Sequence, residues 1–160
     1  MYQIRDVPVR HVAGFHLVGP WDVMVKQGFD QLMLWVRTQQ LDPEEWVAAY
    51  YDNPDVVPPE KLRCSTFIRV NADFVVPPAS EGVICTALAG GTYAVASVQV
   101  ENNDFETPWR GFFTQLLQDN HYQMDAKPCY EVYQSDGSQT GTWMIDMYIP
   151  VKSKSAPAER

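Results

Sequence analysis

The strongest constraint in this 160-residue sequence is an internal repeat. A shift of 83 positions superimposes its two halves without a gap. Val12, Ala13 and Leu17 fall on Val95, Ala96 and Val100, Gly28 and Phe29 on Gly111 and Phe112, and Tyr50 on Tyr133. Residue types agree more than identities do, so each half is expected to fold as the same unit and to share a core with its copy. The expected organisation is one domain over residues 1–151, built of pseudo-repeats at about 1–75 and 83–151, with a tail at 152–160.

The unit reads as strand, helix, strand, strand. In VRHVAGFHLV the apolar residues Ala13, Phe15 and Leu17 recur with a period of two, which marks a strand. Gly19 and Pro20 stop it. From Trp21 to about Gln40, Trp21, Val25, Phe29, Leu32 and Val36 recur at spacings of three and four, the signature of an amphipathic helix. WVAAYYD (46–52) and LRCSTFIRV (62–70) supply the remaining strands around a loop containing Pro54, Pro58 and Pro59. The second copy repeats the order with GGTYAVASVQV (90–100), a helix from about Asp104 to Gln118, then CYEVY and TWMIDMYIPV, and 83–88 forms a further short strand. Gly28 and Gly111 each cost their helix about 1 kcal/mol relative to alanine, which predicts close approach to the sheet at both positions. The expected class is therefore α+β: a tandem strand-helix-strand-strand (SHS2) module with antiparallel sheets and two helices on one face. Two such units cannot each bury a full sheet, so they join edge to edge or face to face around a pseudo-twofold axis, where a cleft forms.

Charge narrows the partners. Twelve Lys and Arg against twenty Asp and Glu give −8, and residues 1–151, with nine basic and nineteen acidic side chains, carry −10. Such a body repels a phosphate backbone, so no direct nucleic-acid binding is expected. Three cysteines without a C-x-x-C pair point to reduced thiols rather than a disulfide framework. His11 and His16, five apart on a strand, take opposite faces, so no metal site and no cofactor are expected. Arg5, Asp6 and Arg10 interrupt any signal-like stretch, and no run approaches the ~20 apolar residues of a membrane span. A cytoplasmic monomer with no membrane contact is the expectation, with KSKSAPAER as a disordered tail.

Strand parity selects candidate site residues. Trp143, Ile145, Met147, Ile149 and Val151 form one apolar set, and Ala94, Ala96, Val98 and Val100 another; both belong under the helices. CYEVY is ambiguous until Glu131 is considered, because a carboxylate against an apolar helix layer costs several kcal/mol. That cost places Glu131 and Tyr133 on the open face, with Trp46, Ala48 and Tyr50 from the equivalent strand. Glu131 ringed by Tyr133, Tyr50, Trp46, Tyr93 and Tyr148 makes a box suited to a flat or cationic ligand. The competing reading is a solvated strand glutamate beside tyrosines that cover the sheet.

The segments VAGFHLVGPW, GFDQLMLWV, WVAAYYDNPD with EKLRC, GGTYAVA, LLQD, KPCYEVY and MYIPV resemble the GyrI-like (SbmC) family of DNA gyrase inhibitors from enteric bacteria, in order and across nearly the whole chain. The resemblance implies a cytoplasmic protein that binds DNA gyrase, inhibits its supercoiling and protects cells from gyrase-targeting toxins. It also implies the fold of the effector-binding domains of AraC-type and MerR-type regulators, in which a strand glutamate meets lipophilic cationic drugs. Glu131 matches that position, and Tyr148 its aromatic partner. The two copies and the tail use every residue, leaving no helix-turn-helix, so no role as a transcription factor is expected. Some GyrI-like relatives hydrolyse strained-ring genotoxins with a cleft glutamate, which makes Glu131 the one candidate catalytic residue should the chain be an enzyme; binding is the preferred reading.

Overall fold

The computed structural model describes residues 1–154, and the repeat is its organising principle. Nine strands and two helices follow one another as β1 (Gln3–Val7), β2 (Arg10–Val18), α1 (Trp21–Thr38), β3 (Trp46–Tyr50), β4 (Arg63–Arg69), β5 (Ile84–Leu88), β6 (Gly91–Val100), α2 (Glu106–Leu117), β7 (Tyr122–Met124), β8 (Cys129–Tyr133) and β9 (Trp143–Ser153). The antiparallel sheet has the order β1-β6-β9-β8-β3-β4-β2-β5, with β7 pairing separately on β9. Under the 83-residue shift this order is a palindrome, since β2 maps on β6, β3 on β8 and β4 on β9. The copies meet edge to edge at β3 and β8, where Ala48 stands opposite Glu131 and Tyr50 opposite Cys129.

The first strands are exchanged. β1 pairs with β6 of the second copy, and β5, its counterpart, pairs with β2 of the first. The connections Val7–Arg10 and Leu88–Gly91 therefore pass each other. At Gly90 a Cβ would stand 2.9 Å from the Val7 carbonyl oxygen and the Val9 nitrogen, so the crossing needs a residue without a side chain. The sequence reading did not anticipate β1 or β7.

Both helices lie on one side. α1 covers a cluster containing Ala13, Leu32, Trp35, Val36 and Ile68, and α2 one containing Ala94, Ala96, Phe112, Leu116, Ile145, Met147 and Ile149. The opposite face is not open, contrary to expectation. Val12, Val47, Phe67, Leu88, Tyr93, Tyr130, Val132 and Tyr148 fill it, and every one of them comes from a strand. A sheet that buries one face with its own side chains must curl, and this one forms a half-barrel with a strand-only core.

The two helical glycines differ. A Cβ at Gly28 would meet Leu17 at 2.7 Å and Thr66 at 2.8 Å, the expected close approach, whereas a Cβ at Gly111 would meet nothing within 4 Å. Gly111 faces away from the sheet because α2 turns Phe112 and Leu116 inward instead. The expected tail also begins later, since Lys152 and Ser153 pair with Gln123 and Tyr122 in β7. Its last six positions, 155–160, lie outside the described residues. No helix among the described residues is long and apolar enough to cross a membrane.

Candidate functional site

Glu131 sits at the centre of the helix-covered side, at the seam between the copies. β8 presents Cys129, Glu131 and Tyr133 to the face on which β9 presents Ile145 and Met147, as the pairs Glu131–Met147 and Tyr133–Ile145 require. The expectation of an open-face glutamate is thus reversed. The carboxylate is fully buried, and the cost that argued against this position is reduced, though not cancelled, by hydrogen bonds. The Trp109 indole donates to Oε1 at 2.7 Å, the Tyr50 hydroxyl to Oε2 at 2.9 Å and the Tyr133 hydroxyl to Oε2 at 2.5 Å.

The duplication explains this geometry. Tyr50 and Tyr133 are repeat equivalents that flank the axis, so both hydroxyls converge on one point. The equivalent of Glu131 is Ala48, its direct neighbour across the seam. Directly opposed residues have Cβ atoms about 5 Å apart, too close for two buried carboxylates, so the axis accepts a single one.

Aromatic rings close the site from both helices. Tyr50 meets Trp21 of α1 at 4.8 Å and Trp109 of α2 at 6.0 Å between ring centroids. Tyr133 meets Phe29 of α1 at 5.1 Å and Phe105, at the start of α2, at 6.1 Å. Each tyrosine therefore bridges the helices above the carboxylate. Burial raises the Glu131 pKa above its ordinary value, against the pull of the three hydrogen bonds, and burial likewise drives the Tyr50 and Tyr133 hydroxyls well above theirs. Among the described residues no basic side chain neutralises Glu131; its hydrogen-bond partners are an indole and two phenols.

Of the six expected site residues, the structure brings together Glu131, Tyr133 and Tyr50. Trp46 opposes Tyr133 in the ladder but packs into the cluster under α1. Tyr93 and Tyr148 belong to the opposite face, where Tyr148 stacks on Tyr130 and Tyr93 meets both edge-on in the strand-only core, so they share no pocket with Glu131. Trp109 was missed. Parity could not find it, because it sits on a helix, yet a half-buried indole seeks an acceptor, and its N–H donates to Glu131.

Other reactive groups are structural. Burial pushes the Cys64 and Cys129 thiols up to about 12, which makes them inert, while Cys85 is exposed on the edge strand β5. Among the described residues no cluster of His, Cys, Asp and Glu has the makings of a metal site.

Comparison with known proteins gives consistent results. The family described as GyrI-like small molecule binding domain matches residues 1–152. A Citrobacter koseri protein named DNA gyrase inhibitor is 60% identical over 153 residues, covering 96% of this chain and 99% of that protein. Among solved structures, the EcmrR–DNA complex matches with a TM-score of 0.73 at 14% identity, covering 95% of this chain and 57% of that one. SAV2435 bound to tetraphenylphosphonium matches with a TM-score of 0.59 at 16% identity, covering 95% of this chain and 94% of that one.

Proposed function

The chain belongs to the GyrI-like family, and from that premise we propose that it inhibits DNA gyrase by binding the enzyme rather than DNA. One observation carries this reading: 60% identity along nearly the full length of a protein named DNA gyrase inhibitor, with no large insertion or loss in either chain. The charge supports the protein-bound route. A body at −10 cannot compete for a duplex directly, yet it is steered toward the basic surface of an enzyme that handles DNA. Binding of immobilised gyrase by the purified protein tests the step. Association that slows as ionic strength rises is the expected result; no association at low salt overturns it.

A second reading concerns the Glu131 site and coexists with the first. A fully buried carboxylate with no counter-cation among the described residues, roofed by Trp21, Tyr50, Trp109 and Tyr133, would take a lipophilic cation if the rings parted, the cation supplying the missing charge and stacking on them. The tetraphenylphosphonium complex of SAV2435 offers a probe of that chemistry. Titration with tetraphenylphosphonium should quench tryptophan fluorescence in the wild type and lose most of its effect in Glu131→Gln. Equal affinity for both proteins removes the carboxylate from the reading.

A further inference from the structure

The basic side chains of this acidic body are not spread evenly. Of the nine Lys and Arg residues in 1–151, three line one cavity of about 170 Å³, where the crossing of the exchanged strands meets the strand-only core. Its walls are Arg5 to Arg10, Arg69 and Tyr148. The cavity is on the side of the sheet away from Glu131, since Tyr148 belongs to the opposite cluster.

The three arginines stand in different states. Arg10 is committed: Nε and Nη2 donate to Glu45 at 2.8 and 3.2 Å, Nη1 donates to the Tyr130 hydroxyl at 3.0 Å, and the guanidinium lies 5.2 Å from the Tyr148 ring centroid. Glu45 is thereby spent on Arg10 and reaches Arg69 only at 3.8 Å, beyond hydrogen-bond range. Arg69 keeps its donors, with 43% of its side chain exposed. Among the described residues the Arg5 guanidinium donates only to the Gln3 amide oxygen. Against these three charges stands Glu45, paired with Arg10 and 3.8 Å from Arg69, while alternation along β1 turns the Asp6 side chain to the face of Ile4, away from Arg5 and Val7.

We propose that this cavity is a binding site for a compact anion, a phosphate or small polycarboxylate group held between the guanidinium groups of Arg5 and Arg69, with Arg10 as a fixed positive floor. A guanidinium presents paired donors that match the oxygens of such a group. The surrounding −10 body excludes an extended polyanion, and the volume is below that of a typical drug-sized pocket, so the ligand is small. Glu45, beside Arg10 and Arg69, opposes the anion and tunes the affinity downward.

The test is a titration of ¹⁵N-labelled protein with inorganic phosphate and, separately, citrate at low ionic strength. Saturable shifts confined to residues around Arg5, Arg10 and Arg69 are expected. Arg69→Gln should weaken binding about tenfold, the loss of one charge-assisted hydrogen-bonding group, and Arg5→Gln should weaken it similarly. Arg69 is partly exposed, so the variant is expected to fold, and an unchanged unfolding midpoint establishes this. If neither anion gives saturable shifts there, or if Arg69→Gln and Arg5→Gln bind as the wild type does, the site is disproved. Response to citrate but not phosphate, or the reverse, identifies the class of anion.

Discussion

Apart from β7, which the second copy alone has, the two copies of the repeat share their strands and helices in the same order, yet they pack differently. In the first, Gly28 lets α1 settle onto Thr66 and Leu17, and the seam position is the small Ala48. In the second, Gly111 points to open space, α2 stands on the bulky rings of Phe105, Trp109, Phe112 and Phe113, and the seam position is Glu131. The first copy sets its helix close on the sheet, and the second holds its helix off on aromatic rings and carries the buried glutamate. Duplication places two tyrosines around an axis, and divergence at one pair, alanine against glutamate, turns that symmetric position into a charged site.

The most severe way to break this asymmetry is to restore the symmetry. Ala48→Glu would bury two carboxylates side by side and is expected to cost about 4 kcal/mol or more, enough to prevent folding at neutral pH. Circular dichroism should report partial recovery in acid, where one carboxyl is protonated. Next in size, Gly28→Ala drives a methyl group into Thr66 and Leu17 and should lower stability by about 2 kcal/mol in urea titrations. The equivalent Gly111→Ala should instead raise it by about 1 kcal/mol, since it gains helix propensity without a clash. The opposite signs test whether α1 and α2 are packed differently.

Tyr50→Phe and Tyr133→Phe each remove one donor from the same carboxylate oxygen. If the axis is real, their costs should be similar, about 2 kcal/mol each, and both should raise the Glu131 pKa further, readable in a carboxyl NMR titration.

The smallest effect is that of Glu131→Gln on stability. A carboxyl whose folded pKa lies above its ordinary 4.5 favours the folded state fully only below that pH, and this contribution is lost as pH rises through the folded value. The glutamine protein should therefore be more stable than wild type at neutral pH, by roughly 1 kcal/mol, with the difference vanishing in acid. A wild type that gains stability on going from acid to neutral pH relative to Glu131→Gln would show that the hydrogen bonds outweigh burial.

Much of the fold was legible in the sequence because the repeat and the hydrophobic periods agree: β8 at 129–133 and β3 at 46–50 fall where the pattern puts them. The strand exchange was not legible, since β1 and β5 are repeat equivalents and either would fit beside β2 or β6. The face of Glu131 was misjudged for a related reason. Parity assigns residues to faces only when one face meets water, and here curling buries both. The cost of a buried carboxylate was correctly recognised, but its donors, one of them on a helix, come together only in three dimensions. Tyr93 and Tyr148 take the face that alternation assigned them, away from the helices, and only their grouping with Glu131 failed.

The most direct measurement is a gyrase supercoiling assay with relaxed plasmid and ATP, run with the wild type and with Glu131→Gln. The account predicts that the wild type suppresses supercoiling without shifting the plasmid in a gel, and that Glu131→Gln, whose substitution is buried beneath the helices, suppresses it equally. Undiminished supercoiling at a large molar excess of wild-type protein, or inhibition accompanied by direct DNA binding, would contradict it.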